Sequence, residues 1–215
     1  MTTIARNTAR ETRIRLACPA DAAAVCAIYA PYVRDTATTF DLEPPTVEEM
    51  EQKIATILEE RPFLVAEIDR ADATTASTTS RVETCDDETF AVIGYSYASA
   101  FRPRKAYLHS IETSVYLAPE AKGHGLGTRL YGALESILRL QNVYNANACV
   151  TYTEPADETC PSTSRIFHER RGYVQCAHIP NCGHKFGRWY DILWLQKQLI
   201  PLSQEPEEFI PLPQV

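Results

Sequence analysis

Three glycines at alternate positions, Gly123, Gly125 and Gly127, follow an apolar segment that includes Tyr116 and Leu117. Beyond them Leu130, Leu134, Ile137 and Leu138 recur at helical spacing, so a helix is expected from Leu126 to about Leu140. Amides at a helix start carry the positive end of the helix dipole, and glycines leave them uncovered. Such a turn suits an anion, most often a phosphate or pyrophosphate, which points to a nucleotide-type cofactor. Two common phosphate loops do not fit. A Walker loop needs Lys-Ser/Thr after its last glycine, and a dinucleotide fingerprint needs G-x-G-x-x-G where this chain has G-x-G-x-G. The plain alternative is a glycine-rich helix start that binds nothing.

The elements that must position this loop come from a chain of 215 residues, a length that fits one domain with a substantial core. Its net charge of −7 argues against nucleic acid as a partner, because neutralising phosphates takes a basic surface. No apolar run is long enough to span a membrane, and the first twelve residues, with Arg6 and Arg10, lack the apolar core of a secretion signal. An organelle-targeting lead would leave little to cleave before the first strand. The seven cysteines, an odd number, suggest reduced thiols in a cytoplasmic protein. Cys176-x-His178 and Cys182-x-His184 are dense enough to invite zinc, but their spacing fits no standard site, and Pro180-Asn181 reads as a turn between two strands. No metal is expected.

Periodicity gives a first strand over 13–17, then a helix capped by Asp21 with Val25, Ile28, Tyr29, Tyr32 and Val33 on one face. Thr46 and Glu49 form a capping box for a second helix carrying Met50, Ile54, Ile57 and Leu58. Strands are expected over 63–68, 91–98, 112–117 and 146–152. Ser162 or Thr163 should open a short helix that stops at Gly172, and strands over 173–179 and 190–199 close the domain. Trp189 and Tyr190 read as hairpin core. Residues 69–89, rich in Thr, Ser, Asp and Ala, cannot build a core and read as a disordered insertion in a hairpin. The division is a flexible lead over 1–12, one domain over 13–200 and a Pro-rich tail over 201–215 lying on the body or on a partner subunit. The order β-α-α-β-β-β-α-β-α-β-β indicates an α/β fold with a mixed central sheet and flanking helices.

The segment Lys122-x-x-Gly125-x-Gly127 resembles the pyrophosphate loop of GCN5-related N-acetyltransferases, Gln/Arg-x-x-Gly-x-Gly/Ala, with Lys122 as a mild departure. Further short motifs resemble the phosphinothricin and methionine sulfoximine acetyltransferase branch. They are Thr39-Phe40 before Glu43-Pro44, Arg102-x-Arg104-x-Ala106-Tyr107 before Glu112-Thr113-Ser114-Val115-Tyr116, Ser164-Arg165-x-x-His168-Glu169 before Gly172-Tyr173, and Gly187-x-Trp189-x-Asp191. The resemblance covers most of 14–199 and implies the acyl-coenzyme A N-acyltransferase fold. It implies acetyl-coenzyme A as co-substrate, its pyrophosphate on Lys122, Gly123, His124, Gly125, Leu126, Gly127 and Thr128. Its arm would lie along Val115, Tyr116 and Leu117, with Ser164 a further contact. It implies Glu112 as general base, acting through water. His168 stands where many relatives carry a tyrosine that protonates the departing thiolate. Phe40, Arg102, Arg104 and Tyr107 are implied as substrate contacts, and a homodimer as the assembly. Two departures stand out: 153–163 is longer than its counterpart and lacks the usual Asn before the serine, and the 69–89 insertion is foreign to the branch.

The chemistry asks that an ammonium lose a proton near a polarised thioester. A glutamate with a reference pKa near 4.3 does this better when partial burial raises it. An imidazole near 6.5 can serve as acid or base, or sit hydrogen-bonded in a core. An Arg pair suits a zwitterion with a second acidic group, which it can grip by parallel bonds. The expectation is acetyl transfer to the α-amino group of a small amino acid or analogue, with antimetabolite detoxification as the outcome. The alternatives are another primary amine, such as a polyamine or a peptide N-terminus, and a non-catalytic acyl-coenzyme A sensor.

Overall fold

A computed structural model describes residues 12–69 and 90–214. The lead over 1–11 and nearly all of the 69–89 insertion lie outside the described residues. The elements follow the expected order: β1 Thr12–Leu16, α1 Ala22–Asp35, α2 Val47–Leu58, β2 Phe63–Asp69, β3 Phe90–Ala100, β4 Ser110–Leu117, α3 Leu126–Leu140, β5 Asn145–Tyr152, α4 Thr163–Arg170, β6 Val174–Lys185 and β7 Arg188–Gln198. The seven strands form one sheet in the order β1-β2-β3-β4-β5-β7-β6. Every pairing is antiparallel except β4 with β5.

The sheet separates two layers. Side chains alternate along a strand, so Tyr95 and Tyr97 of β3 and Tyr116 of β4 share one face, where they stack with Phe63 and meet Tyr29 and Tyr32 of α1. The other face takes α3 and α4 through Leu130, Tyr131, Leu134 and Leu138, all fully buried. α2 starts as its capping box demands: Thr46 Oγ1 accepts from Glu49 N at 3.2 Å, and Glu49 Oε2 accepts from Thr46 N at 2.8 Å.

The structure corrects several local expectations. Asp21 does not cap α1 with its side chain. It is fully buried and held by two bonds from the Arg15 guanidinium, at 2.7 and 2.8 Å, and by Cys18 N. An Arg fork satisfies a buried carboxylate better than one helix amide does. Pro180-Asn181 is not the turn. β6 runs through it with an irregular register against β7, and the chain reverses at Phe186-Gly187. These two residues have φ of 51° and 75°, as a two-residue hairpin turn of matching twist requires. Pro180 is tolerated because β6 is an edge strand, where a missing donor costs no ladder bond. Of the two residues expected in the hairpin core, Tyr190 is buried but Trp189 is 60% exposed. Cys18 is disulfide-bonded, against the expectation of wholly reduced thiols, while Cys26, Cys149, Cys160, Cys176 and Cys182 are free.

The Pro-rich tail lies on the body. Phe209 is buried in the main core with Arg61 over its ring, and Gln141 Nε2 donates to Glu60 O and Ile210 O. Among the described residues no helix is long and apolar enough to cross a membrane.

Candidate active site

β4 and β5 pair only over Ser110–Glu112 and Asn145–Asn147, while β4 continues with β3, and β5 with β7, well beyond that point. The two parallel strands therefore part after Glu112 and leave a gap in the middle of the sheet. On β4 the bonds Phe101 N to Ser110 O and Ala118 N to Ile93 O show which backbone groups turn towards β3. By alternation Val115 and Leu117 aim their N–H and C=O groups into the gap. Tyr32 of α1 reaches that edge: its hydroxyl donates to Leu117 O at 2.7 Å and accepts from Leu117 N at 3.3 Å.

At the end of β4 the chain enters the glycine turn. Gly123 and Gly125 have φ of 82° and 74°, and a Cβ built on either would meet nothing within 4 Å. Gly125 is the cap residue of α3, and as a glycine it offers no side-chain acceptor. The first-turn amides of Leu126, Gly127 and Thr128 thus keep the dipole's positive end open to an external anion. Lys122, His124 and Thr128 are exposed around it. Lys122 Nζ also stands 4.6 Å over the Tyr32 ring, which links the turn to the gap. Gly127 has a different reason to be glycine: a Cβ there would sit 3.3 Å from the Phe167 ring, so α3 and α4 approach through it.

Glu112 lies where the strands part. Its carboxylate is half-buried, makes no hydrogen bond among the described residues, and is pushed above the usual carboxylate range by burial, against the pull of Arg102 and Lys53. Arg102 is held in place: its guanidinium lies 4.4 Å from the Phe101 ring centre and 5.5 Å from that of Trp194, and Nη1 donates to Phe101 O at 2.7 Å. Cys149 of β5 faces the same space. Its thiol is pushed up to about 12, first by burial and then by Glu112. Tyr107 meets the edge of Phe101 at 5.9 Å. Arg104 is exposed, and its guanidinium makes no hydrogen bond or ion pair among the described residues. Phe40 packs under Gly183 and against Tyr190 of the β6–β7 hairpin. Lys185 pins its loop by donating to Thr39 O and Asp41 O, both at 2.8 Å. Arg102 therefore stands near Glu112, Tyr107 packs on Phe101 beneath Arg102, Arg104 reaches into solvent, and Phe40 belongs to the hairpin wall.

His168 is on the other face. It is 5% exposed, and both ring nitrogens are taken: Nδ1 lies 2.8 Å from Ser164 O and Nε2 2.9 Å from the Tyr131 hydroxyl. A carbonyl can only accept, so Nδ1 carries the hydrogen and Nε2 accepts from Tyr131. Burial draws the imidazole down to about 4. Tyr173 shares this layer, within 3.4 Å of Thr113 Oγ1.

The sequence profile of the GNAT acetyltransferase domain matches residues 77–194. A phosphinothricin N-acetyltransferase of Streptomyces coelicolor is 31% identical over 189 residues, covering 88% of this chain and 97% of that protein. The chain belongs to the GNAT acetyltransferase family. A phosphinothricin acetyltransferase of Sinorhizobium meliloti, solved in complex with acetyl-coenzyme A, superposes with a TM-score of 0.74 at 29% identity, covering 92% of this chain and 94% of that one. A methionine sulfoximine/methionine sulfone acetyltransferase of Pseudomonas paraeruginosa is 31% identical over 115 residues, 54% of this chain and 63% of its own length. As a GNAT member the chain is an acetyl-coenzyme A-dependent N-acetyltransferase. The open glycine turn and the uncovered strand edge at Val115 fit the phosphates and arm of such a co-substrate. At Leu117 the edge is covered by Tyr32.

Sequence reasoning missed Tyr32, Lys53, Cys149 and Trp194. Tyr32 and Trp194 carry a core-like pattern, and only the tertiary packing brings Tyr32 to the gap and Trp194 against Phe101 and Arg102. Lys53 sits on the polar face of an amphipathic helix, where nothing in the sequence separates it from an ordinary solvated lysine.

Proposed function

We propose that this GNAT member acetylates the α-amino group of a small amino acid or analogue bearing a second acidic or strongly polar group, of the phosphinothricin or methionine sulfoximine type. The observation that carries the reading is Glu112. It is a half-buried carboxylate without a hydrogen-bond partner among the described residues, raised by desolvation, at the mouth of the strand gap and within the field of Arg102. The bound co-substrate supplies an acetyl group activated as a thioester. Glu112 takes a proton from the substrate ammonium, directly or through water, and its raised pKa brings it closer to the range where a general base works well. Arg102, stiffened by Phe101 and Trp194, holds the anionic end of the substrate. Tyr107 lines the same side, Arg104 adds a solvent-exposed charge, and Phe40 forms the wall opposite. Val115 and the 122–128 turn hold the co-substrate, with Ser164 at the start of α4; Tyr116 backs this edge from the β3 side, and Leu117 joins it only when the Tyr32 hydroxyl gives up the Leu117 N–H and C=O. Holding the two reactants together accounts for much of the barrier reduction in such a transfer.

His168 enters this reading as a neutral clamp between α3 and α4. With Nδ1 committed to Ser164 O and the pKa near 4, it has no spare proton to give near neutral pH. The five free thiols among the described residues support a cytoplasmic setting, with Cys18 as the exception. A homodimer belongs to the same proposal. Its contact is better sought on the β6 edge, where Val174 and Ile179 are exposed, than in the docked tail. Detoxification of an antimetabolite is the outcome that such a substrate implies.

The test is thiol release from acetyl-coenzyme A by purified protein against phosphinothricin, methionine sulfoximine, methionine sulfone, proteinogenic amino acids, a polyamine and a short peptide. Turnover confined to the amino-acid analogues supports the reading. Preference for the polyamine or the peptide replaces it, and no turnover despite tight coenzyme A binding makes the chain a sensor.

A further inference from the structure

Glu112 feels two cations, and only Arg102 has a role in the acetyl transfer proposed above. The other is Lys53 on α2. Its ammonium lies 3.0 Å from the Tyr97 hydroxyl and 4.6 Å from the centre of that ring. No carboxylate among the described residues pairs with it. Glu49, one turn earlier, is occupied by the capping box at Thr46 N. A lysine ammonium can only donate, so the Tyr97 oxygen accepts from Lys53 and its own O–H stays available. The pair presents two spare ammonium N–H groups, one phenol O–H and one positive charge.

The sheet register fixes where this pair lies. Ser99 is opposite Glu112, and Tyr97 is opposite Ser114. Tyr97, Ser99 and Phe101 alternate onto the same face as Glu112. Tyr97 is thus a diagonal neighbour of Glu112, within reach of a small ligand. Along β3 the Tyr97–Lys53 pair stands on one side of the Glu112 row, and Phe101 with Arg102 on the other.

We propose that Lys53, positioned by Tyr97, is a second anion-binding arm of the acceptor pocket, and that an amino acid with a phosphinate or carboxylate on its side chain is gripped between this arm and Arg102 with its amine at Glu112. The inference rests on the proposed amino-acid acetylation and names the group that selects doubly anionic acceptors. Lys53 has a second effect. The charged and titratable groups facing Glu112 are Lys53 from α2, Tyr97 from β3, Arg102 from the turn after β3 and Cys149 from β5. Removing one of the two cations lets the carboxylate hold its proton to higher pH.

The experiment compares Lys53→Met, Lys53→Arg and Tyr97→Phe with the wild type, using phosphinothricin and the side-chain-neutral methionine sulfone at saturating acetyl-coenzyme A. Lys53→Met should raise KM for phosphinothricin about ten-fold, the low end for losing a charge-assisted bond, and change that for methionine sulfone less than about three-fold. The acid limb of kcat/KM for methionine sulfone should move to higher pH. Lys53→Arg should restore most of both, and Tyr97→Phe should fall between. Equal changes for the two substrates with an unmoved acid limb, or no change at all, overturn the inference while wild-type turnover upholds the proposed activity. If the wild type acetylates neither substrate, the proposed activity is what fails. Phosphinothricin titration by calorimetry then decides the arm by itself: weaker binding to Lys53→Met than to the wild type sustains it, while equal binding, or none to either protein, sinks it.

Discussion

The two faces of the sheet carry the same residue types and treat them in opposite ways. On the α3–α4 face, Glu135 is 2% exposed and ringed by Lys197 at 2.7 Å, Arg171 at 3.1 Å and Arg139 at 3.7 Å. His168 on that face has both nitrogens bonded. On the α1–α2 face near the gap, the Glu112 carboxylate has no hydrogen bond, and the two cations that act on it pair with no carboxylate, among the described residues. A carboxylate ringed by cations is committed to holding elements together. A carboxylate left half-buried and unbonded keeps its lone pairs for a substrate, at a cost in desolvation that its raised pKa records. In the proposed reading, the pairing of the group, more than its type, separates scaffold from chemistry.

The sharpest test of this contrast is Glu112→Gln. It keeps the shape and removes the proposed base, so kcat should fall about 10²–10⁴-fold with coenzyme A affinity nearly unchanged, measured by steady-state kinetics and calorimetry. Unchanged turnover at saturating substrate would move the base elsewhere and erase the distinction between the faces.

Glu135→Gln should do the reverse. It leaves three cations around a neutral amide, and because they partly reach solvent the loss should be about 2–4 kcal/mol of stability, below the full cost of breaking a wholly buried pair. Denaturant unfolding measures it, and kcat of the remaining folded protein should hold.

His168 should show its neutral role through pH. Its folded pKa, about 4, lies below the ordinary value of 6.5, so the unfolded chain binds the proton more readily. Its contribution is complete above about pH 6.5 and disappears as pH falls towards 4, a change of roughly 3 kcal/mol. The wild type should lose stability over that window, and His168→Gln should lack this component of the slope. A His168→Gln protein that keeps the full slope, or that loses turnover without losing stability, would return the imidazole to the chemistry.

The smallest expected effects separate the two arginines. Arg102→Ala should raise KM for an acidic analogue more than Arg104→Ala does, because Arg102 is held over Phe101 and Trp194 while Arg104 stands free in solvent. Arg104→Ala should cost about three-fold or less, as for an exposed charge. The opposite ranking would place the substrate's anionic end further from Glu112 than proposed.

The sequence by itself determined what is local and periodic. The Thr46 capping box, the α3 span from Leu126 to Leu140, the glycine turn that leaves its helix-start amides uncovered and the element order were legible, because each depends on neighbours within a few residues. The hairpin was misread because Pro180-Asn181 looks like a turn in isolation, while β7 pairing carries β6 through it and reverses the chain at Phe186-Gly187. Tertiary structure alone decided which side chains meet. The parting of β4 from β5, Tyr32 on the Leu117 edge, Lys53 over Tyr97 and the fully bonded His168 all join residues far apart in the chain. Spacing along a sequence reports the periodicity of one element. Whether a charge ends paired or free depends on what a second element brings within hydrogen-bond reach, and that is set only when the layers pack.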